Sequence, residues 1–585
     1  MQAHRTKTTT LVRTFLTICT LILGANLVFA GSHKISKDLE GNTGSGMVDV
    51  IVQFKQLPTA AHHEKVLSRG GTIKKRYSEF RGAAYTMPAS ALDDLAADPD
   101  VVYISPDRPL SGASTTSIPM ALDYHTASIN APAAWNQGLS GSGVGVAVID
   151  SGIDLNTDLN LLNVVYNQDF TGAFLGSASD QYGHGTHVTG IIAGNGLNSA
   201  GLLDSYTFKG IAQNVSLINL RALDQNGLGS DSGVIAAIDQ AIALRSRYNI
   251  RVINLSLGRP VWESYKQDPL CQAVEQAWKA GIVVVVAAGN YGRDNNAGTQ
   301  GYGTITAPGN DPYVITVGAM NTQGSANRNM AVIASYSSKG PTLFDQVIKP
   351  DLVAPGNRVI SLYNAGQTLS QEYPGNVVPV SLYQSIALNL PSANYFILSG
   401  TSMAAPMVSG AAALLLQQHP TLTPDQVKAR LMKTAFKGLT QHSVATDPIT
   451  GITYSDQADI FTVGAGYLDI QAALGNSDLA PSTTGSAISP NAVEDGSGNI
   501  VISVNGPSVL GGSSVLWGSS VVWGSSVLWG SDINGESVLW GSSSLEGDSV
   551  LWGSSATQAD SVLWGSSVLW GSSSLNSTLT IYGDK

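Results

Sequence analysis

Two unbroken apolar runs constrain the fold of this chain more than any other feature. Val144-Gly145-Val146-Ala147-Val148-Ile149 leads straight into Asp150, and Ile282-Val283-Val284-Val285-Val286-Ala287-Ala288-Gly289 leads straight into Asn290. A strand with one wet face alternates apolar and polar residues. A strand that is apolar along its whole length is buried on both faces, as in a parallel sheet covered by helices. Open sheets of that kind gather function just past the carboxyl ends of their strands. The pattern predicts an α/β layer structure with Asp150 and Asn290 at its working edge. The competing reading of each is an ordinary turn residue after a strand.

Two further stretches carry chemistry. Ser399-Gly400-Thr401-Ser402-Met403-Ala404-Ala405-Pro406 turns sharply on its glycine and opens an apolar, helix-like run through Val408, Ala411 and Leu414. A serine at a helix N-terminus has a reachable hydroxyl and a backbone N–H beside it, the two things a nucleophile and its oxyanion need. Serine is also a common N-cap. His184, in Asp180-Gln181-Tyr182-Gly183-His184-Gly185-Thr186-His187-Val188, opens a second such run. A lone histidine is more often a satisfied core residue, but the small residues around His184 favour a site. His187, one turn on, reads as the structural one. A carboxylate fixed to a strand end, as Asp150 is, can hold a histidine tautomer and stabilise the imidazolium. Asp154 and Asp158 are nearby rivals without that anchorage. The side-chain amide of Asn290 can donate to a developing oxyanion.

Taken together, Val148-Ile149-Asp150-Ser151-Gly152-Ile153-Asp154, Gly183-His184-Gly185-Thr186-His187-Val188, Ala287-Ala288-Gly289-Asn290 and Gly400-Thr401-Ser402-Met403-Ala404-Ala405-Pro406 resemble the subtilisin-like serine peptidases. That family carries its acid, histidine and serine in this chain order. The resemblance covers about residues 121–474. It implies an α/β fold with a parallel sheet between helices, and peptide-bond hydrolysis through an acyl-enzyme. Ser402 would attack, His184 would act as base and then acid, Asp150 would orient His184, and Asn290 with the Ser402 N–H would hold the oxyanion. Asn226-Gly227-Leu228-Gly229 and Leu255-Ser256-Leu257-Gly258 are similar to the two edges that pair with an extended substrate, and Ala288 and Gly289 join them as substrate-binding candidates. The plainer reading of these segments is Gly-rich turns beside strands. Ala307-Pro308 matches a position where the family holds a cis proline near its specificity pocket. Thr306 beside it is expected to narrow that pocket toward medium apolar side chains. Met407 replaces a frequent histidine of the family, and residues 364–394 form an insertion expected to line or cover the cleft. No cofactor is needed for the chemistry. Structural calcium is a candidate only: Asp158 falls where some members bind it, but calcium takes six to eight oxygens, and residues 195–209 do not show the family's strongest calcium loop.

Upstream of these motifs the chain reads as exported. Arg5, Lys7 and Arg13 precede an apolar run from Phe15 to Leu23, and Val28-Phe29-Ala30 suits cleavage after Ala30. This is the pattern of a secretory signal peptide, and the run is short for a membrane span. Its removal takes away Cys19 and leaves Cys271 alone, so a disulfide framework is excluded within one chain. Leu16-Thr17-Ile18-Cys19 is too bulky for a lipobox. The formal net charge is −11 with 12% charged residues, and losing three basic residues makes the mature chain more acidic still. That balance argues against nucleic-acid binding.

Residues 47–107 read as strand, helix, strand, strand, helix, strand, a ferredoxin-like α+β order with Ser90 as the N-cap of the second helix. This unit resembles the inhibitory propeptide of the subtilases, with the cut expected in residues 107–121. At the other end a repeat of about six residues, Ser-Val-Leu-Trp-Gly-Ser, carries Trp517, Trp523, Trp529, Trp540, Trp552, Trp564 and Trp570. It suggests a β-rich stack with the Trp residues as its core, ahead of an exposed aromatic ladder for a polysaccharide or cell surface, and of low-complexity disorder. The expected order is a signal peptide at 1–30, a propeptide at 31–110, a peptidase domain at 111–475, a linker at 476–506, the repeat tail at 507–578 and an end piece at 579–585. The expected product is a secreted monomer acting on proteins or peptides, with its own propeptide as inhibitor. The rival reading is a surface-binding or structural repeat protein whose peptidase domain serves mainly self-processing.

Overall fold

A computed structural model describes residues 34–39, 46–112, 124–172, 177–385, 390–447, 450–494, 500–503 and 584. The expected signal peptide and the Trp repeats lie outside the described residues, as does the stretch 113–121. The chain divides into two units, Met1–Lys74 with Arg81–Pro106, and Lys75–Phe80 with Asp107–Lys585.

The smaller unit is built on β1 (Met47–Phe54), α1 (Ala60–Leu67), β2 (Thr72–Arg76), β3 (Gly82–Pro88), α2 (Leu92–Ala96) and β4 (Val101–Pro106). The sheet order is β2-β3-β1-β4, with β1 antiparallel to both neighbours. Val50, Val52, Tyr85, Met87, Leu95 and Ile104 form its core with Val66 of α1. This is the ferredoxin-like order that the sequence predicts. Ser90 is not an N-cap: it sits within a 3₁₀ turn, Ala89–Ala91, that α2 follows directly.

The larger unit is organised by an eight-stranded sheet. Its strands are β6 (Gly145–Asp150), β7 (Val164–Asp169), β8 (Ser216–Arg221), β10 (Ile250–Leu255), β12 (Val283–Ala287), β13 (Ile315–Asn321), β14 (Val332–Ile333) and β15 (Leu352–Pro355), ordered β14-β13-β12-β10-β6-β8-β7 with β15 also on β13. All pairings are parallel except β13 with β14. Every residue of β6 and β12 is buried, which is why both read as continuous apolar runs. After β6 the chain builds β7 and β8 on one side, then crosses to β10 on the other. The carboxyl ends of β6 and β10 thus flank a switch point, where such sheets place their sites.

Two helices complete the frame. In α3 (His184–Ala193) all ten residues are buried. Helices α4 (Asp231–Tyr248) and α5 (Pro269–Lys279) come next in the chain. In α6 (Thr401–Gln418) Thr401 through Leu416 are buried, and the helix packs on α3, β10, β12 and β13. A helix apolar on every side belongs inside a protein, so the sequence of α6 requires the layers around it. Residues 364–394, where described, add a short helix (Thr368–Glu372) and β17 (Val377–Pro379), which joins β16 (Val359–Leu362) and β18 (Pro391–Leu398) in a small antiparallel sheet with β18 at its centre.

Candidate active site

Asp150 closes β6, and His184 opens α3. His184 Nδ1 lies 2.7 Å from Asp150 Oδ1, and both side chains are fully buried. The Ser151 N–H donates to the same oxygen at 2.7 Å. The turn before α3 is held by a residue that the sequence reading passed over. Asp180 accepts from Ser151 Oγ and from the N–H groups of Gly183 and Thr186, at 2.8, 2.7 and 2.7 Å. A carboxylate set against a helix N-terminus, here from three residues before the N-cap Gly183, satisfies orphan donors and complements the helix dipole. Burial pushes the Asp180 carboxyl above its usual range, while those donors oppose the shift.

The insertion 364–394 supports the same turn. Gln367 donates to Asp180 O at 3.0 Å, and the N–H groups of Thr368 and Leu369 donate to Gln181 O and Tyr182 O. These contacts buttress the turn before His184, and Thr368 Oγ1 donates to Gln225 O at 2.9 Å, beside the expected cleft edge Asn226-Gly227-Leu228-Gly229.

His187 is structural: its Nε2 meets Val359 O and Phe396 O at 3.2 and 3.1 Å. Burial lowers its pKa to about 3, and burial lowers that of buried His125 to about 4. Both stay neutral in the fold and would charge on unfolding once the pH falls below about 6.5. The unfolded chain then binds more protons, so stability is full above that pH and falls as pH drops toward 4. Each histidine contributes about 1.4 kcal/mol per pH unit in that window. Urea midpoints of a Ser402→Ala chain, which cannot digest itself, are expected to fall steadily from pH 7 to pH 4.5. His187→Gln should flatten that slope.

Ser402 is the second residue of α6, so its N–H has no acceptor within the helix. Its Oγ donates to Ser256 O at 3.0 Å. Pro406 stands four residues on and has no N–H to give to the Ser402 carbonyl. Ser256 Oγ supplies the missing bond, donating to Ser402 O at 2.8 Å. Asn254 Nδ2 donates to Ser256 Oγ and Ser409 Oγ donates to Asn254 Oδ1, so a buried polar chain ties β10 to α6. Ser256 therefore has two roles here, one on each side of its residue.

Asn290 follows β12 at the mouth of α6. The Thr401 N–H and Thr401 Oγ1 both meet Asn290 Oδ1, at 2.9 and 3.0 Å. A backbone N–H can only donate, so the end facing it is the carbonyl and Nδ2 is the donor end turned away. Thr401 Oγ1 also accepts the Gly289 N–H at 3.1 Å. Thr401 is thus the residue that aims Asn290, a role invisible in a Gly-Thr-Ser motif.

The expected substrate edges are strands: β9 (Leu228–Ser230), which follows Gly227, and β11 (Leu257–Gly258), which follows Ser256. Between them runs β5 (Pro109–Gly112), antiparallel to both, with Leu110 opposite Gly229 and Ser111 opposite both Leu228 and Gly258. The residues just before β5 are bound as well. Arg108 makes two bonds to Glu263, at 2.6 and 2.7 Å, and both side chains are buried. The Ser232 N–H donates to Asp107 at 2.7 Å. In residues 75–80, the N–H groups of Ser78, Glu79 and Phe80 converge on the Asp239 carboxylate.

Thr306 lies between Gly258 and Gly289, two of the expected substrate-binding residues. A Cβ on Gly258 would come within 2.6 Å of its Oγ1, and one on Gly289 within 2.7 Å of its Cγ2. Glycine at both positions is what lets threonine fit there. Thr306 Oγ1 donates to Ala288 O at 3.2 Å, and the Ala307–Pro308 bond is cis, as the sequence suggests. Asp158 is held by the Asn198 N–H at 2.6 Å and by Tyr395 Oη, and burial raises its pKa. Among the described residues no three His, Cys, Asp or Glu side chains cluster as a metal site, and no helix is long and apolar enough to cross a membrane.

The subtilase family profile matches residues 141–466. Subtilisin E of Bacillus subtilis (strain 168) is 34% identical over 420 residues, covering 71% of this chain and 92% of that protein. Serine protease AprX of the same organism is 36% identical over 313 residues, which are 50% of this chain and 62% of AprX, so less than two thirds of that relative is spanned. The crystal structure of fervidolysin from Fervidobacterium pennivorans, described as a keratinolytic enzyme related to subtilisin, superposes with a TM-score of 0.55 at 22% identity. It covers 77% of this chain and 63% of fervidolysin, a likeness of fold. With the profile and the subtilisin match in hand, the chain belongs to the subtilase family and is a serine-type endopeptidase.

Proposed function

We propose that this chain is a secreted endopeptidase that is made as a zymogen and processes itself. The observation that carries the proposal is the pairing of Asp150 with His184 at one end of a sheet whose other working residues, Asn290 and Ser402, share the mouth of α6. Ser402 Oγ leaves Ser256 O, gives its proton to Nε2 of His184 and attacks the scissile carbonyl. The imidazolium that forms is held by Asp150 and returns the proton to the leaving amine. Nδ2 of Asn290 and the Ser402 N–H take the oxyanion, each such donor typically supplying about 10²–10³ in kcat. Water then repeats the cycle on the acyl-enzyme. Subtilases need no cofactor for this chemistry, and we assign Asp158 to packing rather than to calcium, since Tyr395 and the Asn198 amide already engage it.

Strand β5 supports self-processing. It lies where an extended substrate would add a strand between two edges, and it directly follows the ferredoxin-like unit. Its ladder pairs Gly112 with Leu257, and the next residue of that edge is Ser256, whose carbonyl receives Ser402 Oγ. The expected cut therefore follows Ala113, within the 107–121 stretch. N-terminal sequencing of the product should read Ser114-Thr115-Thr116; a start before Gly112 or after Ala121 would sink this register.

The same geometry gives a shallow specificity pocket, because Thr306 fills the space between Gly258 and Gly289. Alanine or valine is the expected residue before the scissile bond. Thr306→Gly should shift the preference toward phenylalanine by about 10- to 200-fold or more, the range that a single methylene commands in a hydrophobic pocket. Peptides differing only at that position measure it, and an unchanged ratio would remove Thr306 from the pocket.

A further inference from the structure

A buried polar cluster gathers around Arg293. This residue stands three positions after Asn290 on the same loop, so it shares a short segment with the oxyanion amide. Its guanidinium is buried between two rings, 5.8 Å from the centre of Tyr336 and 5.3 Å from that of Tyr454. Nε donates to Ser335 Oγ at 2.8 Å, and Asp447 lies 3.4 Å from Nη1. Buried cations require counter-ions. Asp584, which follows the repeat tail in sequence, places a carboxylate oxygen 2.8 Å from Nη2.

Asp584 is engaged on every polar edge. Its Oδ2 accepts the Ser335 N–H at 2.7 Å and its Oδ1 accepts Ser335 Oγ at 2.6 Å. Its own N–H donates to Asn357 Oδ1 at 3.1 Å, and Asn357 Nδ2 donates back to the Asp584 carbonyl at 3.2 Å. Ser335, Asn357 and Asp584 are all buried, with Asp584 only 1% exposed. Among the described residues the Ser335 N–H has no other acceptor, and a buried backbone donor left unpaired is costly. The side-chain amide of Asn357 treats Asp584 as a strand would, reading main chain in both directions, while Arg293 and Ser335 read the carboxylate.

We propose that Arg293, Ser335 and Asn357 form a docking site for a carboxylate in an extended peptide, and that its occupant is the chain's own Asp584. The docked carboxylate is linked by hydrogen bonds to the segments that carry Asn290 and Ser402: the Gly292 N–H donates to Tyr336 O, Tyr336 Oη donates to Gly356 O, and Gly356 O accepts the Gly400 N–H, two residues before Ser402. The site rests on none of the catalytic assignments above.

Hydrogen exchange with residue resolution on the full Ser402→Ala chain tests the proposal. Asp584→Ala should speed exchange of the Ser335 amide at least tenfold, and Arg293→Met should do the same for the Asp584 amide, since charge-assisted bonds of this kind are worth about 10- to 100-fold each. Asp584 lies outside the sheet and helices, so its substitution leaves the core to fold normally. Unchanged exchange at Ser335 in Asp584→Ala, or at Asp584 in Arg293→Met, would overturn the docking site.

Discussion

Ser402→Ala is expected to abolish casein hydrolysis and to leave the chain uncut between residues 107 and 121. The loss in kcat should be of the order of 10⁶, the scale found when the serine of subtilisin itself, the reference case for this triad, is removed. The substitution deletes one oxygen whose hydrogen bond goes to Ser256 O. The neighbouring frame stays: Ser256 Oγ still satisfies the Ser402 carbonyl, and Thr401 still aims Asn290. The variant should therefore fold with wild-type stability and retain residues 31–113, which makes it the form in which β5 can be studied in place. Processing of the variant at the wild-type rate in a purified preparation would show that the cut is not this chain's own work.

Asp150→Asn carries the second largest effect, about 10⁴ in kcat with little change in KM. The carboxylate accepts from His184 Nδ1 at 2.7 Å. An amide of the same shape offers a donor in one orientation and a weaker neutral acceptor in the other. The first orientation forces the proton onto Nε2, where it blocks the transfer from Ser402. The second leaves the imidazolium without a counter-charge in a buried site. The cleft edges β9 and β11 are untouched, so binding should survive. A KM rise that accounts for most of the loss would mean that Asp150 shapes the cleft rather than the histidine.

Much of this architecture was legible because it depends on local pattern. The apolar runs before Asp150 and Asn290 announced strands buried on both faces, and both form such strands. The alternation in residues 47–107 yielded the smaller unit's topology. Other features depend on partners far away in the chain. Nothing near Asp180 shows that Gln367 will donate to its carbonyl, and nothing in Gly-Thr-Ser shows that Thr401 grips Asn290 from 111 positions away. The insertion 364–394 is expected to line or cover the cleft, and nothing in its own residues shows that Gln367, Thr368 and Leu369 will bond to the turn before His184. Pro406 is the instructive case. A proline four residues after Ser402 requires an outside donor for the Ser402 carbonyl, and the requirement is visible in the sequence even though Ser256 as the donor is not. Ser90 misleads for a simpler reason: Pro88 closes β3 and a 3₁₀ turn begins at Ala89, so the helix starts two residues late.

The most direct test of the central claim is covalent labelling of the processed protein with a fluorophosphonate, followed by mapping of the modified residue by mass spectrometry. Label on Ser402 approaching one per chain, with hydrolysis lost in proportion and labelling suppressed in Asp150→Asn, is the result predicted. Full hydrolysis after exhaustive treatment, or a label carried by any residue other than Ser402, would contradict it.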